Sequence, residues 1–150
     1  MDWDVDVRGV KARKYRDTTG PGFDAINEMI RAATPRDKAI LILMYSMRMR
    51  KHELITLDME HYDPPGHRLF VKRKGRQDRE WLTLPGLGQV ALDEWLAVRG
   101  DAPGPIFTSR TGRRLEGTAL WRIVKRYNPD TSPHRILHTT VTDALDETNG

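Results

Sequence analysis

Cysteine is absent from the chain. Neither a disulfide nor a thiolate metal site is therefore available, and a reducing compartment is permitted. Aromatic residues make up only 7%, too few for the interleaved stacking surface of a single-strand nucleic-acid binder. The longest apolar run, Ala39 to Tyr45, is far too short to span a bilayer. The first residues, with Asp2, Asp4 and Asp6, are acidic where a secretory signal is basic. The expectation is a cytoplasmic protein with no membrane partner, no small-molecule substrate, no metal and no cofactor.

What is present is positive charge in patches. The 150 residues fit one ordinary domain, and their net charge of +4 is modest. Yet residues 71–79 hold Lys72, Arg73, Lys74, Arg76 and Arg79 against Asp78, and residues 110–126 hold Arg110, Arg113, Arg114, Arg122, Lys125 and Arg126 against Glu116. The remainder is net acidic. If the two patches converge in space they suit a polyanion; if they do not, they are solvated faces.

Residues 1–21 read as a basic linker or tail without apolar periodicity, carrying Lys11, Arg13, Lys14 and Arg16. A helix is predicted from Phe23 to Ala33, with Phe23, Ile26 and Ile30 on one face. A second starts at Thr34, whose hydroxyl caps a first turn with Pro35 leading and Asp37 three residues on. It runs through the apolar stretch to Tyr45 and belongs at the centre of a core. Lys51 to Leu57 is a third, short helix. Strands are expected at Arg68 to Lys72 and Arg79 to Leu84 around a polar turn with Gly75, and Met59 to Tyr62 is a candidate third strand. Helical spacing returns at Leu87, with Val90, Ala91, Trp95 and Val98 on one side and Gly100 as the stop. Thr118 to Tyr127 is amphipathic, and a last helix starts at Ser132 and Pro133 and runs to about Glu147. The order gives a mainly helical α+β domain with a three-stranded antiparallel sheet packed among helices.

Four local patterns narrow this class. Tyr45 to Leu54 places Arg50 after the core helix with Glu53 and Leu54 three and four residues later. The hairpin carries Lys74 and Gly75 at its tip. Ile106 to Leu115 and Leu120 to Lys125 follow, and then His134 and His138 with Thr139. In this order and spacing, residues 22–147 resemble the catalytic domain of the tyrosine recombinases, the phage integrase family.

The resemblance implies DNA recombination and integration by transesterification, in which a tyrosine attacks a backbone phosphate and protein cations stabilise the charge that builds there. It makes Arg50 the first phosphate clamp, ahead of Arg48, which lacks the Glu-Leu pair at the family spacing. Lys74 corresponds to the general acid for the leaving hydroxyl, His134 to the second-box histidine, and His138, one turn on, to its support. Arg73, Arg76, Arg79, Arg113, Arg114, Arg122, Lys125 and Arg126 are candidates to follow a double-stranded DNA backbone, with Lys11, Arg13 and Lys14 closing a clamp.

Two departures qualify that chemistry. Leu137 stands three residues after His134, where the family has its second arginine, and no tyrosine follows the second box. The expectation is a domain truncated before its nucleophile, inactive in strand cleavage and retaining at most DNA binding, with exposed apolar surface available to a second copy or an intact recombinase protomer. The alternatives are a non-catalytic DNA-binding or regulatory module and an unrelated basic RNA-binding or protein-interaction domain.

Overall fold

The computed structural model describes residues 22–73 and 75–136. The tail with Lys11, Arg13 and Lys14 lies outside them, as do Lys74, Leu137 and His138. The architecture is α+β and mainly helical. Helices α1 (Phe23–Ala32), α2 (Pro35–Met47) and α3 (Lys51–Ile55) precede the strands β1 (Tyr62–Asp63), β2 (Arg68–Val71) and β3 (Glu80–Thr83), and α4 (Gly86–Arg99) and α5 (Gly117–Tyr127) follow them. The three strands form one antiparallel sheet in the order β1-β2-β3. Residues 133–136 form one helical turn capped by Ser132, whose Oγ accepts from the Arg135 N–H at 3.3 Å, and the rest of the helix expected to Glu147 lies outside the described residues.

Helix α2 is the pillar. Thr34 Oγ1 accepts from the Asp37 N–H at 3.4 Å and Pro35 occupies the first turn, so the start is set by chain chemistry. From Ala39 to Tyr45 every side chain is buried, and α1 and α4 pack against it. Burial contributes about 1.5–3 kcal/mol for each of Ile40, Leu41, Ile42, Leu43 and Met44, which is why this helix tolerates having no polar face. It ends at Arg48, whose left-handed conformation (φ 54°, ψ 39°) reverses the chain. Met49 is then buried, and the next residue, Arg50, turns outward to open α3.

The sheet is shorter at its first strand than the sequence suggests. Met59–His61 is one 3-10 turn, leaving only Tyr62 and Asp63 to pair with Leu69 and Arg68. The cause is local: the Asp58 N–H donates to His61 Nδ1 at 3.0 Å and the His61 N–H returns to Asp58 O at 2.8 Å, winding the segment before it can extend. On β2, Leu69 and Val71 face the core. Phe70 faces outward and stacks on its cross-strand partner Trp81, with ring centres 4.7 Å apart, while the Arg68 guanidinium lies 4.4 Å from the Trp81 ring centre. Trp81, 43% exposed, therefore locks hairpin register rather than filling the core.

On α4 the core positions are Ala91, Leu92 and Trp95, and the Trp95 indole N–H donates to Ile106 O at 2.8 Å. The apolar stripe continues geometrically to Val98, but the core ends at Trp95, so Val98 is 66% exposed and opens onto a groove. Among the described residues no helix is long and apolar enough to cross a membrane.

His61 makes the sheet entrance sensitive to acid. Burial, and then the nearby Arg79 and Arg114 cations, lower its pKa from the usual 6.5 against the opposing pull of Asp58 and Glu60. A neutral imidazole is also what the Asp58 N–H requires as acceptor. A depressed folded-state pKa means the unfolded chain binds the extra proton first. The contribution is thus complete above about pH 6.5 and is lost as pH falls toward the folded-state value. Urea unfolding midpoints should decline between about pH 7 and pH 5, and His61→Gln should flatten that decline.

Candidate phosphate-binding site

The turn between α2 and α3 places one arginine at a cavity. Arg50 is the residue before α3, its backbone N–H donates to Glu53 Oε1 at 2.8 Å, and its side chain is exposed. An arginine side chain has no acceptor, so only the Glu53 half of a capping box is chemically possible here. Glu53 is itself 2% exposed, and the same Oε1 accepts from Arg73 Nη1 at 3.2 Å. One carboxylate oxygen therefore joins the start of α3 to the strand leading into the hairpin tip.

The tip is braced from within. The Arg76 N–H donates to Arg73 O at 3.2 Å, closing the turn that contains position 74, and Gly75 has φ +80°, a conformation that favours glycine. Lys72 Nζ donates to Arg76 O and Gln77 O at 2.8 and 3.0 Å. At the hairpin base, Arg79 donates from Nη1 to Phe70 O and from Nη2 to Thr56 O, at 2.8 and 3.2 Å, tying the sheet to the end of α3.

These elements enclose a cavity of about 400 Å³ lined by Arg50, His52, Glu53, Lys72, Arg73, Gly75 and Arg76. Four cations face one carboxylate there. Lys72 and Arg73 are occupied as described, whereas the exposed side chains of Arg50 and Arg76 have no ion-pair partner among the described residues. Such a cavity suits an anion with several acceptor oxygens, because guanidinium forks donate in pairs and stay protonated at any ordinary pH.

The other sequence candidates are distributed differently. Lys74 and His138 lie outside the described residues, although both neighbours of Lys74 line the cavity. His134 is exposed in the helical turn 133–136 and is not part of the cavity lining. Arg48, the weaker alternative to Arg50, is the left-handed cap of α2 and does not line the cavity either.

A larger groove of about 760 Å³ lies between the start of α2, the end of α4 and α5; Arg110, Arg122 and Arg126 contribute to it. It shares no lining residue with the Arg50 cavity. Its floor hides an ion-pair network that sequence reading missed. Asp37, fully buried, accepts at Oδ1 from Arg36 Nε and Nη2, both at 2.8 Å, and at Oδ2 from Arg126 Nη1 at 3.2 Å and the Tyr127 hydroxyl at 2.6 Å. Arg36 Nη1 also holds Thr108 O at 3.0 Å. The only sequence trace of this hub was Asp37 in its role as a first-turn acid.

Of the remaining candidates, Arg114 bridges Asp58 Oδ1 at 2.7 Å and Ile55 O at 2.9 Å. Lys125 caps Pro129 O at 3.0 Å and sits 5.3 Å from the Trp121 ring centre. Arg113 and Arg122 are exposed. Arg79 and Arg114 thus hold backbone in place, while Arg76, Arg113 and Arg122 project cations outward.

The helical pillar, the three-stranded sheet and the arginine turn before α3 are those expected for the domain class whose motifs the sequence carries, and residues 22–147 match the model of the phage integrase family. The chain belongs to that family. It is 32% identical, over an alignment covering 97% of the chain and 52% of the relative, to the tyrosine recombinase slr0733 of Synechocystis. In fold it is similar to the crystal structure of XerA recombinase, with a TM-score of 0.73 at 20% identity, covering 93% of this chain and 53% of that one. It is also similar to XerH site-specific recombinase bound to its difH substrate, with a TM-score of 0.68 at 16% identity, covering 95% of this chain and 49% of that one. The chain spans about half the length of the curated relatives it matches. Family membership removes the alternative of an unrelated basic domain.

Proposed function

We propose that this domain grips the sugar–phosphate backbone of double-stranded DNA and serves DNA recombination and integration. The observation that carries the reading is the cavity in which Arg50 meets both flanks of Lys74 across the buried Glu53 carboxylate. A backbone phosphate entering it meets the exposed side chains of Arg50 and Arg76, which both line it. Lys74 as proton donor, and His134 as phosphate ligand with His138 as its support, extend the same reading by family resemblance. Leu137 leaves the site one guanidinium short, and the absence of one preorganised donor raises a phosphoryl-transfer barrier by about 2.7–4 kcal/mol. We therefore assign the domain binding ahead of strand cleavage. Arg122, on the larger groove, and the exposed Arg113 supply further backbone contacts, and a second recombinase protomer is a further partner in this reading, with Trp121 and Val98 as exposed apolar contacts.

Affinity built on phosphate contacts carries no sequence code and falls steeply with salt. Titration of a fluorescent 30-base-pair duplex between about 50 and 200 mM salt should give a linear decline of log affinity with log salt. Replacing Arg76 by alanine should reduce the slope by about one charge without favouring any sequence. Salt-independent binding, or equal affinity for single-stranded RNA, would overturn the reading.

A further inference from the structure

Arg73 has a position among the hairpin cations that charge alone does not explain. It lies two residues beyond the end of β2, is only partly exposed, and directs Nη1 to Glu53 Oε1 at 3.2 Å. That oxygen already holds the Arg50 N–H at 2.8 Å. Arg73 also supplies, through its own carbonyl, the acceptor that closes the tip turn onto the Arg76 N–H. Its guanidinium is thereby anchored on α3 while its backbone forms one end of the turn.

We propose that Arg73 is a positioning residue: through Glu53 Oε1 it holds the hairpin tip against the start of α3, so that Arg50 and the turn carrying Lys74 face a common anion. The inference deepens the phosphate-binding reading and rests on it for the identity of that anion. Its physical basis is twofold. Burying a carboxylate to the extent of Glu53 is costly without a partner, and among the described residues Arg73 is the cation that pairs with it. A hairpin tip that extends beyond its own ladder also needs a tether to hold a side chain within the narrow tolerance a phosphate contact requires.

The test uses amide hydrogen exchange in the full chain, read at Arg76, whose N–H closes the turn, and at Ile106, whose N–H donates to Leu57 O away from the hairpin. In Arg73→Gln, exchange at Arg76 should rise about tenfold while Ile106 is unchanged; a general loss of fold would move both. Arg73→Lys, which keeps the charge, should recover most of the protection. Glu53→Gln retains an acceptor for the Arg50 N–H but loses the ion pair, and the double variant Glu53→Gln with Arg73→Gln should be no looser than either single one. Unchanged exchange at Arg76 in Arg73→Gln, or additive effects in the double variant, overturns the proposal. Inorganic phosphate titrated into the native protein reports the underlying reading separately. Coupled exchange without a phosphate-dependent shift of the Arg50 side-chain signal supports the tether and removes the anion assignment.

Discussion

Substituting Asp37 by alanine is expected to cost about 3–5 kcal/mol of stability and to lower the melting temperature by about 10–20 °C. The size follows from what would be left behind. Arg36 directs Nε and Nη2 at Oδ1, and Arg126 and the Tyr127 hydroxyl converge on Oδ2 of a carboxylate with no solvent access. Removing it strands a largely buried guanidinium and a phenol, and takes away the carboxylate on which Arg126 and Tyr127 at the end of α5 meet the start of α2. Asp37→Asn, which preserves volume and one acceptor, should cost clearly less. Tyr127→Phe should cost about 1.5–3 kcal/mol, as for a hydrogen bond to a charged group. In a double-mutant cycle Asp37 and Tyr127 should be non-additive. Chemical denaturation showing Asp37→Ala within about 0.5 kcal/mol of the native protein would remove Asp37 as the strut between these helices.

The second large effect concerns function. Replacing Arg50 by alanine should weaken duplex DNA binding by about tenfold to a hundredfold, the worth of charge-assisted hydrogen bonds of about 1.5–3 kcal/mol. The melting temperature should hold, because the structural role of this residue is carried by its backbone N–H on Glu53 while its side chain is exposed. Arg48 supplies the internal control. Two residues earlier, with φ 54° at the cap of α2, it does not line the cavity. Arg48→Gly should leave DNA affinity nearly unchanged and add about 1 kcal/mol of stability by relieving the left-handed conformation. Equal losses of affinity in the two variants would mean that general positive charge, and not the Arg50 cavity, binds DNA.

The contrast between these two arginines marks how far the sequence reaches. Motif spacing separated Arg50 from Arg48; in the fold one lines a cavity and the other caps a helix. The start of α2 was legible because hydroxyl, proline and acid act within a single turn. The hairpin was legible because alternation at Arg68 to Val71 and a glycine turn are local signals. The first strand was overextended because the His61 side chain competes with the ladder for the Asp58 N–H, a choice that hydropathy does not encode. Val98 was placed on the same side as Ala91 and Trp95, yet it is exposed, because periodicity continues past the point where the packing partner ends.

The amino-acid order by itself determined the helical pillar, the order of elements, the two basic stretches and the family motifs, since each rests on interactions between residues a few positions apart. Only the tertiary structure decided which cations are available to a phosphate and which are bound internally. Arg36 and Arg126 meet Asp37, Arg73 meets Glu53, and Arg79 and Arg114 hold backbone carbonyls, in several cases across dozens of residues. The physical reason is that a guanidinium carries the same charge wherever it stands in the chain. Its partner is set by which buried carboxylate or carbonyl the fold brings within about 3 Å.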